Sequence, residues 1–370
     1  MRVLEVNVDD VGMGGVFSLV KNIATYGDKT VFIDIAAIEQ FEQESNKIYL
    51  EKIGCRVFFI GFEKNKIIKQ LVCFVKLINL IKTQKYKIVH IHADVANKLL
   101  VSGIASKIAG AKKIMLHSHA SGVDGNHRML KMIYHKTCCR LLKFIGTDFL
   151  SCSDLASKWM FPNVKIKNIK IIKNGVNVEK FRLNSDVRLS YRRVLNISDN
   201  FVVGHVGRFA YQKNHAYLIQ IFRLLKYKMP SAKLLLVGDG VLKHEIESVV
   251  AECDLSDDVI FVGNSEHVAE LMAAMDVFVL PSHFEGLPIV GVEAQASGLP
   301  VLFSDKISRD SKIIENVAFI PIDYESLPTW VKKIEEYSKK ERKDVYDQMF
   351  LGGFSIRQTV ESLFKIYKSL

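Results

Sequence analysis

Short apolar runs closed by turn residues alternate with longer amphipathic stretches along the whole chain. This is the pattern of parallel strands buried on both faces and flanked by helices. In the first half, strands are predicted at Arg2–Val8, Thr30–Ile35, Val57–Ile60, Ile88–His92, Ile114–His117, Phe149–Cys152 and Ile169–Ile172. The turn-rich segment Asn174-Gly175-Val176-Asn177 interrupts the series. A second set starts at Phe201–Gly207 and continues with Lys233–Val237, Val259–Val262, Val277–Leu280 and Pro300–Phe303. The pattern predicts two successive doubly wound α/β units, residues 1–178 and 179–354, and a last helix over 355–370 that could pack across either. Ligands in open α/β sheets bind beyond the carboxyl ends of the strands, so two facing sheets would place a site in the cleft between them.

A length of 370 residues suits two cores rather than one. The chain opens on a strand pattern rather than a secretory leader, and no stretch approaches the ~18 uncharged apolar residues of a spanning helix. A cytoplasmic protein is expected. The six cysteines, at 55, 73, 138, 139, 152 and 253, lack Cys-x-x-Cys spacing and suit idle thiols rather than zinc or disulfides. The net charge of +11 is unevenly spread: residues 1–180 hold 28 Lys and Arg against 15 Asp and Glu, a net of +13, and the rest a net of −2. A basic half fits an anionic membrane, an anionic acceptor or nucleic acid, and equally a solvated surface.

The segment Pro281-Ser282-His283-Phe284-Glu285-Gly286-Leu287-Pro288-Ile289-Val290-Gly291-Val292-Glu293 carries the most chemistry. It begins where a strand ends. Pro288 suits the first turn of a helix that runs from about Ile289. Glu293 then lies on the second turn, and Glu285 in the loop before it. A helix start with free N–H groups attracts a diphosphate. A carboxylate one turn in can accept from ribose hydroxyls, and one in the loop from sugar hydroxyls. The plainer reading makes Glu285 a cap and Glu293 a surface residue.

The run from Pro281 to Pro300 resembles the E-x7-E motif of retaining GT-B glycosyltransferases of family 4, down to Glu293-Ala294 and Gly298-Leu299-Pro300. Gly207-Arg208-Phe209-Ala210-Tyr211-Gln212-Lys213-Asn214 resembles the family's segment whose Arg and Lys clamp the donor diphosphate. Asn214 departs from the Gly usual after that Lys. Leu236-Val237-Gly238-Asp239-Gly240 matches a structural turn, and Gly263 to Leu271 matches the base-binding stretch, with backbone near His267 and Val268 facing the nucleobase. In the first half, Gly12-Met13-Gly14-Gly15-Val16 resembles the Gly-Gly loop, so Gly15 is a donor-site candidate. Leu116-His117-Ser118-His119 holds the family's sugar-facing histidine. His119, farther past the strand, is preferred to His117. His90 and His92 are read as structural.

The resemblance implies a GT-B fold, a last helix that returns to the first unit, and a donor held by the second unit. Glu293 would sit on the ribose, and Glu285, Gly286, Leu287 and Pro288 around sugar and diphosphate. Arg208 and Lys213 would stabilise the leaving group. It implies a nucleotide sugar, a UDP-sugar by family habit, and transfer with retention to a glycan or lipid-linked oligosaccharide of bacterial capsule, exopolysaccharide or O-antigen synthesis. No Asp-x-Asp occurs, so neither a metal nor another cofactor is expected. Two basic amphipathic stretches, Glu63–Lys87 and His127–Lys143, suit peripheral contact with an anionic membrane. A non-catalytic GT-B glycan-binding or partner subunit is the alternative, although it would be expected to lose the clamp residues. Nucleic-acid binding is disfavoured, because aromatic residues do not interleave with the basic runs.

Overall fold

Mostly apolar runs of three to six residues form thirteen parallel strands in a computed structural model that describes residues 1–11, 14–62, 66–125 and 127–369. The sequence readings at Gly12, Met13, Glu63, Lys64 and Leu370 lie outside the described residues. The chain divides into two units, Met1–Gly175 with Ile356–Leu370, and Val176–Ser355. The division falls inside the turn Asn174–Asn177, three residues before the boundary expected at 178.

In the first unit the order is β1 (Arg2–Val6), α1 (Gly15–Tyr26), β2 (Phe32–Ala37), α2 (Glu44–Lys52), β3 (Val57–Phe59), α3 (Lys66–Gln84), β4 (Ile88–Ala93) and α4 (Ala96–Ile108). It continues with β5 (Lys113–Ser118), α5 (Arg128–Leu142), β6 (Asp148–Ser151), α6 (Asp154–Met160) and β7 (Ile169–Ile171). The seven strands pair in the order β3-β2-β1-β4-β5-β6-β7. Both β4 and β5 are buried along their whole length, as strands covered by helices on both faces must be.

The second unit runs α7 (Val178–Phe181), α8 (Ser185–Val194), β8 (Val202–Val206), α9 (His215–Lys228), β9 (Lys233–Val237), α10 (Lys243–Glu252), β10 (Val259–Gly263) and α11 (Val268–Ala274). Then follow β11 (Val277–Leu280), α12 (Ile289–Ala296), β12 (Val301–Ser304), β13 (Val317–Ile320), α13 (Leu327–Tyr337) and α14 (Tyr346–Leu351). Its sheet order is β10-β9-β8-β11-β12-β13. The edge strand β13 is absent from the sequence reading. Its four residues end at Pro321, and so short a run resembles a loop until β12 pairs with it. Trp330 of α13 is fully buried in this unit's core, and its indole N–H donates to the Pro321 carbonyl at 2.8 Å.

The last helix, α15 (Ile356–Lys368), belongs to the first unit. Its buried stripe includes Val360, Leu363, Phe364 and Tyr367. Phe364 lies so close to Gly27 that a Cβ there would come within 2.6 Å of the ring. Buried Lys113 donates to the carbonyls of Ile366 and Ser369, a cation placed where a helix C-terminus is negative.

Candidate active site

In the second sheet β9 and β10 lie on one side of β8, and β11, β12 and β13 on the other. The winding therefore reverses between β8 and β11, and the loops leaving their carboxyl ends flank the crevice that this reversal opens. Loop 207–214 follows β8, and loop 281–288 follows β11. The two are tied together. The His283 N–H donates to the Gln212 carbonyl at 2.8 Å, Asn214 Nδ2 to the Pro281 carbonyl at 3.1 Å, and Gln212 Nε2 to the Phe284 carbonyl at 3.2 Å. The rings of Tyr211 and His283 stack at 4.2 Å. Asn214 has φ 55°, so it occupies a left-handed position where asparagine is the best substitute for glycine. That conformation and its bond to Pro281 account for the departure from the family's usual glycine.

Across this seam Lys213 Nζ lies 2.7 Å from Glu285 Oε1, with the two side chains only 14% and 9% exposed. Ser282 Oγ donates to the same oxygen at 3.2 Å. Beneath the lysine are buried His205 and His215, the latter stacked on Phe209 at 4.0 Å. Burial pushes the His205 pKa down to about 3, although its bond to the Val279 carbonyl opposes this. Burial and the nearby His205 and Lys213 also lower His215 well below its ordinary value. Both imidazoles are thus neutral, and the positive charge at this point resides on Lys213 and on exposed Arg208.

Pro288 is the N-cap of α12 rather than its first-turn residue, and no side chain caps the helix. The Gly291 N–H bonds back to the Pro288 carbonyl at 3.0 Å, and a helix start without a side-chain cap can receive an anion. Gly291 lets the helix close onto Phe303 of β12, where a Cβ would meet the ring at 2.6 Å. Glu293 is half-buried on the second turn rather than a surface residue, and Glu285 does not cap the helix. Burial raises its carboxyl to about 7, and Lys180 offsets this only in part. Gly263, at φ 77°, ends β10 and accepts from the Gly238 N–H at 2.8 Å. His267 caps α11 and is exposed, and Val268 is that helix's first residue. These three follow the edge strand β10, two strands from β8 and so about 10 Å across the sheet.

Gly15 and His119 lie in the other unit, each at the carboxyl end of its sheet. Gly15, exposed, opens α1, whose start has no side-chain cap. His117 is fully buried, whereas His119 is partly exposed one residue past β5. The structure adds a cluster that sequence reasoning did not assemble. Glu5 of β1, His90 and His92 of β4, His117, His119 and Tyr367 of α15 form one hydrogen-bonded network. Ring nitrogens of His90, His92 and His117 fall within 4.8 Å of one another, spacing that a divalent metal could bridge. However, both nitrogens of His90 and of His92 already bond to neighbours. The available signal was a carboxylate in an otherwise apolar central strand, opposite two histidines in alternation.

The Glycosyl transferases group 1 profile matches residues 187–348. EpsF of Bacillus subtilis (strain 168), named as a glycosyltransferase, is 30% identical over 294 residues, 76% of this chain and 74% of that protein. The Escherichia coli UDP-Gal:alpha-D-GlcNAc-diphosphoundecaprenol alpha-1,3-galactosyltransferase is 27% identical over 70% of this chain and 69% of its own length. The structure of Anabaena Alr3699/HepE in complex with UDP and glucose superposes with a TM-score of 0.80 over 100% of both chains, at 19% identity. Two parallel-sheet α/β units with such neighbours define the GT-B fold. The chain belongs to the glycosyl transferases group 1 family, and is a glycosyltransferase.

Proposed function

We propose that the protein transfers a sugar, with retention and without a metal ion, from a UDP-sugar to a lipid-linked oligosaccharide in bacterial surface-polysaccharide synthesis. The observation that carries this reading is the buried Lys213–Glu285 pair at the β8/β11 crevice, beside the uncapped start of α12. The diphosphate would sit against that helix start, with Arg208 and Lys213 taking up charge as the phosphate leaves. Glu285 would hold hydroxyls of the transferred sugar. Residues 263–268 lie about a nucleoside's length away and would meet the base. The bond from the anomeric carbon to phosphate breaks as the acceptor oxygen attacks on the same face, and the departing phosphate oxygen takes the acceptor's proton. The UDP bound by HepE and the UDP-Gal used by the E. coli relative support uridine. A non-catalytic subunit is not favoured, since the clamp residues are all present.

Glu293 gives the donor reading a sharp test. Ribose hydroxyls donate to an ionised carboxylate, but the free protein holds this one protonated below about pH 7. Affinity for UDP should therefore rise with pH up to about 7 and then level off, with proton release on binding at pH 6. Glu293→Ala should weaken UDP roughly 10- to 100-fold and abolish that release. Calorimetry in two buffers of different ionisation enthalpy measures both, and an unchanged affinity in the variant would remove Glu293 from the donor site.

The membrane reading rests on the first unit. Helices α3, α4 and α5 pack side by side. The outer face of α5 exposes Met129, Leu130, Ile133 and Tyr134, and Leu141 and Phe144 continue it. Lys131, Lys136, Arg140 and Lys143 are exposed among them. No helix of the described residues is long and apolar enough to cross a membrane. A peripheral contact at the inner face of the plasma membrane fits this face. At about 1 kcal/mol per basic residue, replacing Lys131, Lys136 and Arg140 by Ala should lower partition onto phosphatidylglycerol vesicles about 100-fold. Co-sedimentation measures it, and equal binding by the variant would discard this surface.

A further inference from the structure

Glu5 is fully buried in the middle of the first sheet, and its charged partners among the described residues are imidazoles. His92 Nε2 is 2.6 Å and His90 Nδ1 3.0 Å from Oε2, and the Tyr367 hydroxyl donates to Oε1 at 2.8 Å. From this carboxylate two chains of bonds extend. In one, His92 Nδ1 meets His119 Nε2 at 2.8 Å. In the other, His90 Nδ1 meets the Tyr367 oxygen at 2.8 Å and His90 Nε2 meets His117 Nδ1 at 3.0 Å.

Burial alone would raise the Glu5 pKa, but the charge and hydrogen bonds of His90 and His92 outweigh it and keep the carboxylate ionised. Burial lowers His92 to about 4 and His119 well below its ordinary value, so both rings are neutral. With those charges the first chain has one consistent placement of protons. An ionised Glu5 only accepts, so His92 carries its proton on Nε2 and offers Nδ1 as a lone pair. His119 must then donate from Nε2, which leaves its own Nδ1 unprotonated. In the second chain His117 Nε2 is buried and has no hydrogen-bond partner among the described residues.

We propose that Glu5 and His92 are positioning residues for the transfer reaction: through two hydrogen bonds they hold His119 as the Nε2–H tautomer, so that its Nδ1 is offered to a substrate hydroxyl as an acceptor and never as a donor. Tyr367 secures the other carboxylate oxygen and so keeps Glu5 aimed at His92. The proposal rests on the glycosyltransferase reading with His119 near the transferred sugar. Its consequence is selectivity for a hydroxyl donor at one position of the substrate, since an acceptor nitrogen left unpaired penalises a sugar lacking that hydroxyl.

Long-range proton–nitrogen spectra of the full-length protein labelled with 15N-histidine, assigned by His92→Gln and His119→Gln, report which nitrogen is protonated. His92 and His119 should both be Nε2–H at neutral pH. A proton on His119 Nδ1 would overturn the proposal. In Glu5→Gln, whose amide can donate as well as accept, His119 should lose its single tautomer. The variant's kcat should fall roughly 10- to 100-fold with UDP affinity unchanged, and in a His119→Gln background the same replacement should add less than about twofold. Equal losses in both backgrounds would mark a purely structural role and sink the idea. The wild-type spectra decide the tautomer even if Glu5→Gln does not fold. They also do so if no nucleotide sugar proves to be a donor, which separates failure of this proposal from failure of the functional reading.

Discussion

Replacing Lys213 by alanine should lower kcat by roughly 10²- to 10³-fold, the usual effect of removing one group that stabilises charge on a leaving atom. The lysine is held in place from the protein side by Glu285 at 2.7 Å. Its loss has a second effect, because a nearly buried carboxylate is left without its partner. Stability should fall by about 1–3 kcal/mol. The two effects are separable. Lys213→Ala with Glu285→Gln removes the stranded charge and should recover most of the melting temperature, but none of the turnover. Steady-state kinetics and thermal unfolding on the single and double variants would measure both. Recovery of activity together with stability would mean that the pair is only a structural tie between two loops.

The second large effect concerns a glycine that packs against the backbone of a site loop. Gly238, at φ 131°, packs directly on the backbone of the Arg208 loop, and a Cβ there would lie 2.3 Å from the Gly207 carbonyl oxygen. No side-chain rotation relieves such a clash, since backbone meets backbone. Gly238→Ala should therefore push loop 207–214 away from the β9 turn and break the bond from the Phe209 N–H to the Asp239 carbonyl, now 2.9 Å. A destabilisation of about 2–4 kcal/mol is expected, with loss of measurable donor binding. Gly110 is the matched control: its φ is also positive, at 87°, but no atom lies within 4 Å of the added Cβ. Gly110→Ala should show the strain alone, about 1 kcal/mol, and keep donor affinity. Equal behaviour of the two variants in denaturant melts and UDP binding would dismiss the loop argument.

Most of the fold was legible because parallel strands write themselves as uninterrupted apolar runs. Val277–Leu280 and Lys233–Val237 begin and end where the pattern placed them. The start of α12 at Ile289 was readable from Pro288, a local signal, although the proline is the N-cap and not in the first turn. Thr30 and Val31 were overcalled as strand, since β2 starts at Phe32. What could not be read was long-range. Nothing near Glu5 in the chain announces Tyr367, 362 residues away, and their bond exists only because α15 returns to the first sheet. His90 and His92 looked structural because a histidine on a strand usually is. Their connection to His119 depends on the register that sets His92 beside His117 on β5. Likewise the Lys213–Glu285 pair joins segments 72 residues apart, and only the adjacency of β8 and β11 brings them into contact.

The return of α15 also sets an order of events on the ribosome. Residues 176–355 contain every strand of the second sheet, so that unit can close as soon as they have emerged. The first unit emerges earlier but remains unfinished. Until residues 356–368 follow, the ring of Phe364 is missing from its seat beside Gly27, and the carboxylate of Glu5 has one oxygen without its hydroxyl donor. The half of the enzyme synthesised first is thus completed last. A nascent chain stalled after residue 355 would carry a folded second unit tethered to an open, basic partner exposed to chaperones and proteases.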